Sequence, residues 1–221
     1  KCQTQEEAAD LICRIFCEQV ALHGIEKVQI LSPFRSEGPA SVEQLNAAIR
    51  ELVNPARDEF ADLKVGSHYF RVGDKVMQIK NNYDIIWTKG NDEGSGIFNG
   101  DIGIIEKIDN MSSAFSVNFE DRIAVYSFEN ANEIEHAYAV TVHKSQGNEF
   151  KAVVMPVFNV VPNLCYRNLL YTAVTRAKNI MVLVGSADVV YSMTMNNSRT
   201  KRYTALKHFL TEAEEDDNGL F

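Results

Sequence analysis

The chain has 221 residues, 45% of them hydrophobic and 24% charged, with a formal net charge of −8. That length can bury a real core in one large domain or two small ones, and the composition is that of an ordinary soluble globular protein. No run approaches the roughly 18 apolar residues of a membrane span and no leader pattern opens the chain, so a cytoplasmic location without a membrane partner is expected. The acidic balance argues against a basic coat that binds nucleic acid without regard to sequence.

Taken in order, Thr4 with Glu7 forms a capping-box pattern, and Ala8, Leu11, Ile12, Ile15, Phe16 and Val20 recur at helical spacing up to His23-Gly24. A short strand over residues 28–31 stops at Ser32-Pro33. After a polar turn, Ser41 with Gln44 caps a second helix carrying Leu45, Ala48, Ile49 and Leu52. Helix, strand, turn and helix in this order predict an α/β layer. The chain starts at Lys1, directly before a helix signal, and is expected to be part of a longer protein.

From about residue 66 the pattern changes to short β-rich runs at 75–79, 102–108, 114–119 and 123–128, with no helical period between them. A compact barrel of about five strands is predicted, with a mobile glycine-rich loop over 89–100. After residue 135 the α/β pattern resumes: a strand ending near Val142, a polar turn closed by Gly147, a strand over 152–157, a helix over 168–178 and a strand over 180–184. A basic helix over 199–210 and a disordered acidic tail over 211–221 are expected to follow. The domains predicted are therefore an α/β lobe over 1–66 and 132–210, interrupted by a barrel over 67–131. Cys2, Cys13, Cys17 and Cys165 show neither metal-ligand spacing nor a disulfide framework, and no residue is assigned to a metal.

Two stretches carry the chemistry. AYAVTVHKSQGNEF (137–150) delivers hydroxyl, imidazole, amine and amide groups at the end of a buried strand, the edge where open α/β sheets bind ligands. RNLLYTAVTRAK (167–178) places Arg176 in an apolar run; a helix buried there would require an anionic partner for that arginine. Short donors such as Thr141, His143, Lys144 and Ser145 suit a phosphodiester backbone better than base edges. In the barrel, Lys75, Lys80, Asn81, Asn82, Tyr83, Trp87 and Lys89 interleave basic, amide and aromatic side chains, as a single-strand track does.

The two stretches resemble the fifth and sixth motifs of superfamily-one DNA helicases, most closely the RecD-like branch, and FRVGDKVMQIKNNYD with GIFNGDIGII resembles the small Src-homology-like barrel inserted in that branch's second RecA-like lobe. The chain has no G-x-x-x-x-G-K-[ST] phosphate loop and no strand ending in an Asp-Glu pair, so the resemblance covers the second lobe, over about residues 27–210. It implies an ATP-dependent 5′-to-3′ translocase on single-stranded DNA, with Mg²⁺ ligands on an N-terminal RecA-like lobe absent from this sequence and with nuclease-complex subunits as further partners. It implies that Arg176 is an arginine finger on the γ-phosphate and Arg35 its companion. It also implies that Glu149 meets the ribose, that Gln146 and Gly147 couple the two ligand sites, and that Thr141 and Ser145 contact DNA phosphate with Lys144 nearby. His143 and, on the barrel, Lys80, Asn81, Asn82 and Trp87 are expected from their side chains to be further DNA contacts. By itself this chain would then hydrolyse no ATP. A helicase segment of a conjugative relaxase, and a non-catalytic nucleic-acid- or protein-binding module of the same fold, are the alternatives.

Overall fold

The structure is a computed structural model that describes residue 2 and residues 4–56, 62–66, 68–158 and 165–197. The expected helix over 199–210 and the acidic tail lie outside the described residues.

Helix α1 (Gln5–His23) starts at Thr4, whose hydroxyl accepts from the Glu7 amide at 3.2 Å, as the capping pattern requires. Helix α2 (Val42–Val53) starts in the same way at Ser41. Between them β1 (Val28–Ser32) is buried at every position. With β11 (Ala139–Thr141), β12 (Phe150–Val157) and β13 (Ala177–Gly185) it forms a parallel sheet in the order β11-β1-β12-β13. Alternate residues divide between its two faces. Ile30, Ala152 and Val154 meet Ala8, Ile12, Phe16, Leu45 and Ile49 of α1 and α2. Leu31, Val153, Met155 and Val157 meet Leu169, Leu170 and Ala173 of α3 (Arg167–Val174) and Met193 of α4 (Ala187–Met195). Covering both faces is what buries β1 at every position, and its two polar side chains, Gln29 and Ser32, donate to the Ala137 and Ala40 carbonyls at 3.0 and 2.9 Å.

The barrel is larger than its sequence suggests. Its antiparallel sheet has seven strands, in the order β10-β4-β7-β8-β9-β5-β6. In chain order these are β4 (Lys75–Gln78), β5 (Asn82–Lys89), β6 (Asp92–Ile97), β7 (Ile102–Asp109), β8 (Ala114–Phe119), β9 (Arg122–Ser127) and β10 (Ile134–His136), preceded by a hairpin of β2 (Leu63–Val65) and β3 (His68–Phe70). Every strand contributes to one core, which includes Phe70, Val76, Ile85, Ile97, Ile105, Phe115 and Tyr126. The predicted mobile loop is instead a hairpin in which β5 pairs with β6. Glycine makes that pairing possible: a Cβ on Gly94 would stand 2.4 Å from the Trp87 ring, so the indole lies where any side chain would sit.

Two further expectations are corrected. Helix α3 ends at Val174, only Leu169, Leu170 and Ala173 of it are buried, and Ala177 already belongs to β13. Arg176 therefore lies in the turn between helix and strand. Helix α4 has no counterpart in the sequence reading, because its amphipathic pattern is short and follows the β13 strand after only Ser186.

Candidate functional site

The segment after β11 joins two edges of the parallel sheet. Strand β11 ends at Thr141 on the carboxyl edge, whereas β12 begins at Phe150 on the amino edge, so residues 142–149 pass from one to the other. Amide-to-carbonyl bonds from Ser145 to Thr141, Gln146 to His143 and Asn148 to Ser145 fold the segment into successive turns. Gly147 closes them at φ +93°, a conformation that a side chain strains.

On the carboxyl edge, the Thr141 hydroxyl is half-buried and accepts from the Lys144 amide at 3.4 Å. His143 is exposed, with Nε2 3.3 Å from the Tyr166 hydroxyl. Lys144 Nζ donates to Glu135 at 2.9 Å, and Arg35 meets the other oxygen of that carboxylate at 3.3 Å and Glu43 at 3.7 Å. Partial burial works against the charged form of Glu135, but Lys144 and Arg35 together hold its carboxyl below the usual range. Ser145 departs from expectation. It is fully buried and its hydroxyl donates to the Val142 carbonyl at 2.7 Å, so it shapes the turn and has no surface to offer a strand.

On the amino edge, the Arg176 carbonyl accepts from the Phe150 amide at 2.8 Å, which brings the turn before β13 beside the start of β12. Arg176 Nη1 donates to the Asn148 carbonyl at 3.1 Å and Nη2 to the Thr175 hydroxyl at 3.4 Å, while its buried Nε has no partner among the described residues. Among the described residues the guanidinium is thus held by neutral acceptors alone. Next to it Glu149 and Lys178, both exposed, pair at 3.1 Å. Gln146 and Gly147 are exposed on the segment between the two edges.

The structure does not bring the two arginines together. Ser32 stands at the level of Pro156 on β12 and Arg176 just before the level of Phe150. Six residues of strand separate those levels, about 20 Å at ~3.3 Å per residue. The expectation that Arg35 and Arg176 serve one phosphate is corrected accordingly: Arg35 belongs to the Thr141–Lys144 cluster. Sequence spacing cannot reveal this, because it does not show which sheet edge follows each motif.

The expected strand track on the barrel also divides. Lys75 is fully buried: its Nζ donates to the Ile25 carbonyl at 3.0 Å and the Val28 carbonyl at 2.8 Å, and it lies 5.6 Å from the centre of the Phe150 ring. Burial pulls its ammonium down to about 7, against an upward pull from Glu26. Asn82 donates to Glu133 at 2.9 Å and accepts from the Asp84 amide, so it is committed internally. Trp87 is half-buried, seated on Gly94 with the Arg122 guanidinium 5.8 Å over its ring, which is a packing position. Lys80 and Asn81 remain exposed.

One cluster had no sequence signal. Asp74, fully buried, accepts from Arg50 Nε at 3.0 Å, Asn54 Nδ2 at 2.8 Å, the Arg71 amide at 2.8 Å and the Tyr138 hydroxyl at 2.9 Å, with His136 Nε2 at 3.2 Å. Burial opposes its charge, yet His136, Arg50 and the Arg71 amide hold its carboxyl down to about 2. This network fastens the end of α2 and the residue before β11 in the lobe to the residue before β4 and to β10 of the barrel.

Residues 45–119 match the family described as the ATP-dependent RecD-like DNA helicase SH3 domain, and residues 136–184 match the UvrD-like helicase C-terminal domain. The ATP-dependent RecD2 DNA helicase of Deinococcus radiodurans is 31% identical over 185 residues, which are 84% of this chain and 24% of that protein. The RecBCD enzyme subunit RecD of Mycolicibacterium smegmatis is 27% identical over 170 residues, 76% of this chain and 27% of that protein. The chain spans about a quarter of the length of these curated relatives. Among solved structures, Bacteroides Pif1 bound to ssDNA aligns over 97% of this chain and 55% of that chain, at 16% identity and a TM-score of 0.49.

Proposed function

This chain belongs to the RecD-like helicases, within which it carries a RecA-like lobe with an inserted SH3-like barrel, and we propose that it is the part of an ATP-dependent DNA helicase that closes over nucleotide while holding single-stranded DNA. The observation that carries this reading is the segment 142–149, which ends at Thr141 on one edge of the sheet and at the Arg176–Glu149 group on the other. A displacement of one end is transmitted to the other over eight residues held in successive turns. That is the coupling a translocase needs.

On the amino edge, Arg176 fits the anionic end of a nucleotide. Among the described residues its charge meets a carbonyl and a hydroxyl, both neutral, so an approaching phosphate is a better partner than either. Its planar fork spans two oxygens and stabilises charge developing at transfer. Glu149 lies beside it for the ribose hydroxyls, once its exposed pair with Lys178 yields, and exposed pairs of this kind are worth only about 0–1 kcal/mol. ATP, bound with Mg²⁺ held by the other lobe, supplies the transferred phosphoryl group. On the carboxyl edge, Thr141, His143, Lys144 and Arg35 face the DNA backbone, with Glu135 keeping the two cations in place. Travel is 5′ to 3′, and the protein acts in the cytoplasm, on the nucleoid, alone or with nuclease-complex subunits such as those implied by the RecBCD names of its relatives.

The test is made in the full-length protein. Arg176→Ala lowers DNA-stimulated kcat by about 10³ to 10⁵ with DNA affinity nearly intact, and Arg176→Lys rescues little. Arg35→Ala weakens DNA binding and leaves kcat at saturating DNA close to wild type. If Arg176→Ala instead lowers the melting temperature and DNA binding while kcat per folded molecule is unchanged, the nucleotide assignment is wrong.

A further inference from the structure

Tyr83 and Phe98 are among the exposed large hydrophobic residues of the chain, at 66% and 42% exposure, and they touch each other edge to face with ring centres 5.6 Å apart. Neither contributes to the barrel core. An exposed aromatic pair is ordinarily a liability that a surface avoids. Here the Phe98 side of the pair is held in place. Phe98 is held by its amide to Asp101 at 3.1 Å and by its ring against Gly96, where a Cβ would stand 3.1 Å away. The next residue, Asn99, donates its amide to Asn81 Oδ1 at 2.9 Å.

The position of this pair relative to the lobe matters more. The turn that follows Phe98 is tied to the segment 142–149: Asn148 Nδ2 donates to the Gly100 carbonyl at 3.0 Å, and the Lys144 carbonyl oxygen lies 4.0 Å from where a Cβ on Gly100 would be. Asn148 therefore links two regions. Its carbonyl accepts from Arg176 on the nucleotide side, and its side chain holds the barrel turn that carries Phe98. Exposed Lys80 and Asn81 border the pair, and His143 and Lys144 lie on the segment to which the turn is tied. Cations and amides around exposed π-faces suit a strand whose phosphates lie on the polar groups and whose bases need a surface to stack on. A protein partner would be expected to find a continuous apolar surface, whereas the chain next to these two rings carries Lys80, Asn81, Asn82, Asp84 and Asn99.

We propose that Tyr83 and Phe98 form a base-stacking platform for single-stranded nucleic acid, and that Asn148 fixes this platform in register with the Thr141–Lys144 loop. The proposal rests on the reading that a DNA backbone lies along that loop. It replaces Trp87, four residues further along β5 and about 13 Å away, as the aromatic contact. The Asn148 link implies that base stacking and the hold on Arg176 respond to each other, since one residue positions both.

The experiment measures binding of the full-length protein to oligo-dT and to an abasic oligonucleotide of equal length, by fluorescence anisotropy over a range of salt. The Tyr83→Ala, Phe98→Ala double variant is expected to bind oligo-dT about ten-fold or more weakly, within the range for one or two stacked bases, and to match wild type on the abasic strand. Its salt slope on oligo-dT stays that of wild type, because no phosphate contact is removed. Tyr83→Phe with Phe98→Tyr restores binding, which excludes misfolding as the cause. Asn148→Ala loses several-fold on oligo-dT alone, with both rings present. Equal binding of the double variant and wild type to oligo-dT overturns the platform and leaves the loop reading intact. Equal weakening on both oligonucleotides also overturns it, since the rings would then act through fold or phosphate. A wild-type protein that binds neither strand overturns the platform together with the loop reading.

Discussion

Asp74 and Lys75 at the root of the barrel are both 0% exposed, whereas Tyr83 and Phe98, at the tip formed by the start of β5 and the end of β6, are 66% and 42% exposed. At the root, polar groups are buried and answered one by one: the Asp74 carboxylate by five donors, and the Lys75 ammonium by two carbonyls of the lobe. At the tip, two aromatic rings are exposed and meet each other edge to face, with Phe98 also lying against Gly96. A polar root costs desolvation that is recovered only in one arrangement, so it specifies how the barrel sits on the lobe. An aromatic tip gains little from folding, which leaves its surface available for a ligand.

The largest effect is expected at Asp74. Replacing it with alanine leaves Arg50 buried without a carboxylate, since Asp74 is its only ion-pair partner among the described residues. The loss should be about 3–5 kcal/mol in urea unfolding, the scale of a broken buried pair. The acid limb provides a second readout. Because the folded carboxyl is held down to about 2, its stabilisation is fully present above the ordinary carboxylate value near 4. It is lost as pH falls from there toward 2. In Asp74→Asn that decline between about pH 4 and 2 should flatten. An unchanged acid limb would mean that Asp74 is not the charge that holds the root.

Lys75 gives a smaller effect with the opposite pH dependence. Its folded value of about 7 lies below the ordinary lysine value of 10.5, so between these the unfolded chain holds the extra proton and wild-type stability rises with pH. Lys75→Met removes donors from the Ile25 and Val28 carbonyls but also relieves the buried charge. The two effects oppose below about pH 7, and the cost of the substitution grows to about 1–3 kcal/mol near pH 10. A cost independent of pH from 6 to 10 would place the charge elsewhere.

The same contrast explains what could be read from the sequence. Apolar periodicity gave α1, α2, β1 and β12 because each is set by which residues face a core, and the caps at Thr4 and Ser41 are local. Residues 89–100 have the composition of a loop because glycine and asparagine signal turns, whereas Gly94 serves here to admit the Trp87 ring across a hairpin. Ser145 has the composition of a phosphate contact, but only the fold shows its hydroxyl turned inward to Val142. Lys75 and Lys80 are the same residue type five positions apart, and nothing local distinguishes the buried lysine from the exposed one. Polar residues, whose roles depend on long-range partners, were the least legible part of both edges. Arg176 could be singled out because it stands in an apolar run, but its place after the helix followed from the strand that begins at Ala177.

The smallest effect is expected at the tip, and it is the one that sharpens the comparison. Tyr83 is two-thirds exposed, makes one ring contact, and lies where the β5–β6 pairing is already irregular between Asn82 and Ile86. Removing its ring gives up part of one edge-to-face contact, and the exposed remainder contributes no burial. Tyr83→Ser should therefore lower the unfolding free energy measured in urea by no more than about 0.5 kcal/mol, with the slope unchanged, as for other surface sites. Tyr138→Phe at the root removes a buried hydroxyl that donates to Asp74 at 2.9 Å, and should cost about 1 kcal/mol although it deletes a single atom. The ordering is the test. A whole exposed ring must cost less than one buried oxygen if the root holds the barrel and the tip is free to bind. Should Tyr83→Ser instead cost 2 kcal/mol or more, the ring would be a structural member of the hairpin, and its exposure would no longer indicate a surface kept open for a strand.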